Sequence, residues 1–332
     1  MKPLVSMIVP CYNVEKKIVN LMESILKQSY TNIETIFVDD GSIDNTKEVI
    51  HSYKEKIEAL GMKFLYIRQE NSGAAGAIRT GLDYVNGKYL IWPDADDALT
   101  EKSVEMRVDF LETHPEYEWV RSNAYVINSV NPNDRTKLIV SHKNIKRHWV
   151  YNECIRFKTF YCPGCYMIKW EDFLKANPEK YIYQTYYGQN IQMLLPMAYN
   201  YKCGYIDVPL YEYIIYDDSH SRLGGDRTYI KKINYLCNVE KIMIETMKSL
   251  GIENRNDYKK VQNDFCVRRL RIAYNSHNQE DKKKEYNKIK GILKFNPIII
   301  LMKITKKNKL VDIMDKLYQL CDIGLFKLQN RS

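Results

Sequence analysis

The feature that most constrains this chain is a rhythm in its first 130 residues: apolar runs of strand length, each followed by a segment with helical spacing. Leu4–Pro10, Ile33–Asp39, Lys63–Gln69, Tyr89–Pro93 and Trp119–Ile127 read as strands. Val14–Gln28, with Ile18, Leu21, Ile25 and Leu26 on one face, reads as a helix, as do Asp44–Leu60, Gly73–Val85 and Thr100–Thr113. Asp44 is a plausible N-cap, because a side-chain carboxylate there can accept from a free backbone N–H of the first turn. Strands that are apolar on both faces must be covered on both faces. The pattern therefore predicts an α/β fold, a doubly wound and mostly parallel sheet with helices on both sides. Such sheets take ligands beyond the carboxyl ends of their strands, so chemistry is expected after Pro10, after Val38 and after Pro93.

From about residue 140 the pattern loosens into a Tyr-rich region, and from about Asp226 it becomes helical and polar. The expected organisation is one domain over 1–225, with halves 1–130 and 131–225, and a helical, basic C-terminal region over 226–332. The 27 tyrosines cluster at Tyr181–Tyr187 and Tyr199–Tyr216. They suit either ordinary half-buried packing or stacking on sugar rings.

Composition excludes several classes. The chain is 45% hydrophobic and 27% charged, so wholesale disorder is out. The opening apolar run is too short for a secretory h-region, and no run nears the roughly 20 residues of a membrane span. A cytoplasmic protein is expected, its eight cysteines reduced. The close pair Cys162-Pro163-Gly164-Cys165 lacks a second CxxC or a His pair, so it reads as a Pro-Gly turn between two small side chains.

The formal charge is +9, and residues 281–332, with 13 Lys+Arg against 5 Asp+Glu, carry nearly all of it. Lys294, Lys303, Lys306, Lys307 and Lys309 sit beside the apolar strip of Ile292-Leu293, Phe295 and Ile298–Met302. That mixture suits a segment lying peripherally on an anionic membrane surface, the inner face of the cell membrane, or an amphipathic helix packed on the protein body. Nucleic acid is not an expected partner, since aromatic interleaving and arginine richness are missing.

Three strand ends hold the informative residues: Pro10-Cys11-Tyr12-Asn13, Asp39-Asp40-Gly41-Ser42 and Asp94-Ala95-Asp96-Asp97. In an extended turn the side chains of Asp94 and Asp96 leave on the same side and can converge on a hard divalent cation, which completes its shell with water and phosphate oxygens. Such a cation can neutralise a departing diphosphate. Asp39 can accept a hydrogen bond from the N3–H of uracil or thymine. No GxGxxG follows a strand, and no GxxxxGK[ST] exists, so a dinucleotide dehydrogenase is disfavoured.

VSMIVPCYNVEKKI, IETIFVDDGSIDNT and GKYLIWPDADDAL, in that order and spacing, resemble glycosyltransferase family 2, the inverting nucleotide-sugar transferases of GT-A fold. The resemblance is dense over roughly the first 130 residues. It implies a GT-A domain over 1–225, with a nucleotide-sugar-binding half and an acceptor half. It also implies a nucleotide-diphosphate sugar as donor, a UDP-sugar foremost, with Mn²⁺ or Mg²⁺ and inversion at the anomeric carbon. A glycan or lipid-linked saccharide is the implied acceptor, in cell-surface or capsular polysaccharide synthesis. Carried across, Pro10, Tyr12, Asn13 and Asp39 would line the nucleotide pocket. Asp94 would face the ribose or sugar and, with Asp96, the metal.

Two positions depart from the family pattern. Members often read ARNxG in the helix before the DxD strand; here it is Ala77-Ile78-Arg79-Thr80-Gly81. A one-residue shift turns Arg79, the candidate donor ligand, by about 100° around the helix. Many members also carry a Glu-Asp pair before an apolar helix, where a carboxylate serves as general base. Here Gln189 and Asn190 stand at those positions, and an amide cannot accept the proton. The base is therefore open, with Asp217 and Asp218 as candidates and His220 or Arg222 as diphosphate ligands. Glu171-Asp172 reads as the start of a surface helix. The rival class is a catalytically impaired GT-A-like protein that binds a nucleotide sugar or glycan. A sugar nucleotidyltransferase would need a Gly-rich, basic loop after the first strand, and Cys11-Tyr12-Asn13-Val14 is not one.

Overall fold

A computed structural model describes residues 2–140, 147–216 and 229–275, with Lys283 and Asn287. The expected rhythm is realised as β1 (Val5–Cys11), α1 (Ile18–Leu26), β2 (Ile33–Asp39), α2 (Thr46–Ser52), α3 (Lys54–Ala59), β3 (Lys63–Arg68) and α4 (Gly73–Gly81). Then follow β4 (Tyr89–Ile91), β5 (Ala98–Leu99), α5 (Ser103–Thr113) and β6 (Trp119–Asn128). The later elements are α6 (Tyr151–Ile155), β7 (Tyr166–Lys169), α7 (Trp170–Ala176), α8 (Gln189–Asn200), β8 (Cys203–Ile215), α9 (Tyr229–Ser249) and α10 (Arg255–Asn275).

One eight-stranded sheet runs in the order β3-β2-β1-β4-β7-β6-β8-β5. The first four strands are parallel, and β7 is inserted antiparallel to both β4 and β6. β8 pairs parallel to β6 across an irregular register at Ser122–Ala124, while β5 pairs antiparallel to β8. The sheet is thus mixed. The strand order reverses at β1: the chain steps outward to β2 and β3, then returns to place β4 on the other side. A crevice at such a reversal is where doubly wound sheets take ligands.

The core follows from the apolar runs. Every residue of β2 is buried, and six of the seven in β1. Trp92, Trp119 and Tyr166 lie fully within the sheet's packing, with Tyr166 stacked 6.5 Å from Trp92 and 5.8 Å from Trp119. All four expected helices are trimmed, α1 to Ile18–Leu26, α4 to Gly73–Gly81 and α5 to Ser103–Thr113, and two elements differ further. The helix over Asp44–Leu60 breaks at Tyr53, whose hydroxyl donates to Glu23 on α1 at 2.9 Å. β4 stops at Ile91, since Pro93 has no N–H for a ladder.

The chain divides into two compact units. The first comprises Met1–Arg222 with Val239–Tyr258 and holds the sheet; the second comprises Leu223–Asn238 with Lys259–Ser332. Among the described residues no helix is long and apolar enough to cross a membrane. The basic segment 281–332, apart from Lys283 and Asn287, lies outside the described residues, so neither of its two expected roles acquires a structural account here.

Candidate active site at the carboxyl strand ends

Two adjacent carboxylates leave the end of β2, and they have different work. Asp39 is fully buried, and its Oδ1 accepts the Ser42 N–H at 2.8 Å. Its Oδ2 receives both the Tyr66 hydroxyl and Arg68 Nη1, the latter at 2.9 Å. A carboxylate has about four acceptor sites, and these three bonds leave one on Asp39 unused. Burial and the Asp39 carboxylate push the Tyr66 hydroxyl well above its usual range, so it remains the donor. Asp40 faces the other way: its Oδ1 accepts from Ser72 N–H at 2.8 Å and its Oδ2 from Gly73 N–H at 2.7 Å, capping α4. Gly41 between this turn and Asn71 has φ +78°, a left-handed backbone that a glycine adopts freely.

The loops after β1 and β2 are laced together. Asn13, itself left-handed at φ 51°, donates its N–H to Ser42 Oγ at 3.0 Å and accepts the Ile43 N–H on Oδ1 at 2.9 Å. Val14 N–H donates to Thr46 Oγ1 at 2.8 Å, and Glu15 N–H to Asp44 Oδ2 at 3.1 Å. Asp44 also accepts from the Thr46 N–H at 3.1 Å, but the N-cap of α2 is Asn45, whose side chain makes no cap bond, so Asp44 stands one residue outside the expected position. Burial raises its carboxyl, but the bonds from Thr46 and Glu15 outweigh this and hold it below the ordinary carboxylate value. Tyr12, at the tip of the β1 loop, is 48% exposed.

Beyond β4, Asp94, Asp96 and Asp97 lie in one turn. The Asp94 N–H donates to the Tyr211 hydroxyl at 3.1 Å. Burial and the neighbouring Asp96 push the Asp94 carboxyl up to about 7, while a hydrogen bond from the Gln189 side chain works in the opposite direction. Asp97 is buried, accepts the Ile214 N–H at 2.8 Å, and is pushed well above the usual range by burial and by Asp96 and Asp94. Asp97 thus anchors the turn to β8. Among the described residues no three His, Cys, Asp or Glu side chains converge as a ready-made metal cage.

The amides at the start of α8 are both engaged. Gln189 reaches Asp94, as noted. Asn190 accepts from Trp92 Nε1 at 3.1 Å and donates to the Tyr161 carbonyl at 3.0 Å, so it needs one acceptor and one donor at once. Gly188 before them has φ +86°, and a Cβ there would stand 2.8 Å from Ile242. Gln192 clasps the backbone of Tyr183 through both its side-chain atoms. Gly73 meets the same segment: a Cβ on it would fall 2.2 Å from the Tyr186 Cα.

One expected ligand is not brought to the strand ends. Arg79 lies in the last turn of α4, near Gly81, which packs against Ile8 in mid-β1. Its guanidinium pairs with Asp83 at 2.8 Å, and Asp83 also takes Lys180 at 2.6 Å. The neighbouring Ile78 is fully buried. Arg79 thus spends its charge on Asp83 at the C-terminal end of α4, whereas the N-terminal end of that helix is the one that meets Asp40. Asp217, Asp218, His220 and Arg222 lie outside the described residues. Cys162 and Cys165 are buried, one just before and one at the end of a 3-10 turn that holds the expected Pro163-Gly164, and Glu171 and Asp172 lie in the first turn of α7.

Arg68 and Tyr211 were missed by the sequence reading. Arg68 ends β3 just as Asp39 ends β2, so inspecting every parallel strand end, not only the acidic ones, would have found it. Tyr211 had no such signal, because only the β5–β8 pairing carries it under Asp94.

The fold and these strand ends define a GT-A-type α/β protein, and comparison with known proteins agrees. A family model described as Glycosyl transferase family 2 matches residues 6–176, and the chain belongs to that family. It is 39% identical over 101 residues to the glycosyltransferase GlyA of Streptococcus pneumoniae serotype 4, a match covering 30% of this chain and 14% of that protein. It is 36% identical over 110 residues to TuaG of Bacillus subtilis, a putative teichuronic acid biosynthesis glycosyltransferase, covering 33% of this chain and 42% of TuaG. The matches thus span less than half the length of these relatives. Among solved structures, residues 1–349 of S. aureus TarS share the fold, with a TM-score of 0.61 at 19% identity over 90% of this chain and 82% of that one. The same TarS segment has been crystallised with UDP and with UDP-GlcNAc.

Proposed function

We propose that this chain transfers a sugar, with inversion, from a nucleotide-diphosphate sugar to a glycan or lipid-linked acceptor in cell-surface or capsular polysaccharide assembly. The observation that carries the reading is the pairing of Asp39 at the end of β2 with Asp94 and Asp96 beyond β4, on the two sides of β1. One spare acceptor on Asp39 suits the N3–H of uracil, with Arg68 beside it at the rim, and a UDP-sugar is therefore the foremost donor. Pro10, Tyr12 and Asn13 form the loop that would flank the base. Residues 1–130 would form the nucleotide-sugar half and 131–225 the acceptor half, with 226–332 a separate helical region. The polysaccharide context draws on the name of TuaG and the donor class on the UDP complexes of TarS.

Asp94 and Asp96 would hold Mn²⁺ or Mg²⁺. Their donor set fits: two carboxylates two residues apart, close enough for Asp96 to raise the proton affinity of Asp94, a repulsion that a cation relieves. When bound, the ion supplies charge neutralisation for the departing diphosphate. Gln189 keeps Asp94 oriented and favours its ionised form. Neither Gln189 nor Asn190 can deprotonate an acceptor hydroxyl, which leaves Asp217 and Asp218 as the candidates for the base.

A second reading, a nucleotide-sugar or glycan binder without turnover, is favoured by that same pair of amides. Hydrolysis and binding of UDP-, GDP- and dTDP-sugars with Mn²⁺, Mg²⁺ or EDTA separates the two. Metal-dependent turnover of one donor, lost in Asp96→Ala, supports the enzyme. Tight binding without turnover in the presence of candidate acceptors, and indifferent to Asp217→Asn and Asp218→Asn, supports the binder. Peripheral attachment to an anionic membrane through 281–332 is a separate proposal, tested by vesicle sedimentation of the full chain against a version ending at residue 280.

A further inference from the structure

Beneath the carboxylate turn sits an arginine that the proposed chemistry does not use. Arg107, on α5, is fully buried. Its Nη2 donates to the Gly164 carbonyl at 2.7 Å and to Ser122 Oγ at 2.9 Å, and its Nη1 donates to the Ser103 carbonyl at 3.2 Å and to Ser103 Oγ. All these partners are neutral oxygens. Burial pulls the guanidinium down to about 10, which still leaves it charged at neutral pH. A buried charge without a counter-charge is costly, so the site gains something that a neutral side chain would not provide. What it gains is a rigid fork that ties together three elements: α5 through Ser103, β6 through Ser122 and the 3-10 turn Pro163–Cys165 through Gly164.

The tie leads directly to the carboxylates. Gly164 lies flat against the ring of Tyr211: a Cβ added there would stand 1.9 to 2.3 Å from three ring carbons. Tyr211 is itself fully buried in β8, its hydroxyl accepts the Asp94 N–H at 3.1 Å, and the same hydroxyl lies against the Asp97 carboxylate. A carbonyl held by Arg107 thus fixes a glycine, the glycine fixes an aromatic ring, and the ring fixes the backbone from which Asp94 projects.

We propose that Arg107 is a positioning residue for the metal- and diphosphate-binding turn, acting through Gly164 and Tyr211 to set the placement of Asp94. The inference rests on the reading of Asp94 and Asp96 as the cation site. Residues that orient metal-binding side chains from behind commonly shift affinity by about 10-fold or more when altered.

The test is a double-mutant cycle on the full chain, reading Mn²⁺ binding in the presence of UDP by calorimetry, with thermal unfolding followed in parallel. Tyr211→Phe removes only the hydroxyl that receives the Asp94 N–H, and Arg107→Lys keeps the charge but loses the fork. Each is expected to weaken Mn²⁺–UDP binding about 10-fold, and the pair to be no weaker than the worse single variant, because both act through one path. If Arg107→Lys does not fold, Ser122→Ala replaces it; this takes one acceptor from the fork, and about a 3-fold loss, again non-additive with Tyr211→Phe, is expected. Folded variants that bind Mn²⁺–UDP like the wild type, or losses that simply multiply, overturn the proposal and leave Arg107 a stability residue. Wild-type protein that binds no Mn²⁺–UDP overturns the donor-site reading itself, and this inference with it.

Discussion

Asp40 Oδ2 accepts the backbone N–H of Gly73 at 2.7 Å, so the second carboxylate at the end of β2 caps a helix while its neighbour Asp39 accepts from Tyr66 and Arg68 instead. Adjacent residues of identical chemistry are therefore expected to separate cleanly on substitution. Asp40→Ala leaves the N–H groups of Ser72 and Gly73 without their charged acceptor. Hydrogen bonds to ionised groups contribute about 1.5–3 kcal/mol, so unfolding in urea should show a loss of that order.

Asp39→Asn should do the reverse. An amide keeps much of the shape but can turn a donor toward the ligand's own N3–H, and it weakens the tie to Arg68. Affinity for UDP, measured by calorimetry, should fall by at least about 10-fold, a difference of 1.4 kcal/mol. A variant that binds UDP as well as the wild type would remove Asp39 from the base pocket.

Placing a carboxylate at position 190 should not raise activity. Asn190→Asp keeps an acceptor for Trp92 but loses the donor to the Tyr161 carbonyl. It also buries a charge beside a carbonyl oxygen. The expected outcome is a melting temperature lowered by several degrees, as about 1–3 kcal/mol of lost hydrogen bonding would give, with no gain in turnover of any donor.

The lacing at Asp44 carries a pH signature. Its folded carboxyl sits below the ordinary value because bonds from Thr46 and Glu15 outweigh burial. A group depressed in the folded state adds stability that is fully present above its unfolded pKa, about 3.9, and is lost as pH falls through the folded value. Asp44→Asn should thus be less stable than the wild type at pH 7, with the gap closing as pH drops below about 4. Urea midpoints at pH 7, 5 and 3.5 would check this; a constant gap would place the effect elsewhere.

Much of this arrangement was legible in the sequence because the parallel half of the sheet is written in continuous apolar runs. Five strands were located to within two residues, and Asp39, Asp94 and Asp96 could be singled out as strand-end carboxylates. The antiparallel half hid itself for physical reasons. β7 has four residues and β5 two, too few for periodicity. The placement of Arg79 could not be read either: a shift of one residue is visible in the sequence, but its pairing with Asp83 depends on the helix face that Gly81 presses onto Ile8. Arg107 is a long polar residue on a helix whose apolar face is weakly defined, and nothing before the fold marks it as buried.

The contact between Gly73 and Tyr186 has a consequence for recombination among relatives. The two proposed halves of the sheet domain touch there with no room for a methyl group. A chimera that exchanges residues 131–216 for the corresponding stretch of another member inherits a surface moulded around whatever stands at position 73. The exposed Tyr186 side chain can change without touching this contact, yet wholesale exchange of that stretch is expected to succeed only between parents that share this glycine. The seam thus sets which versions of that stretch are interchangeable and which are not.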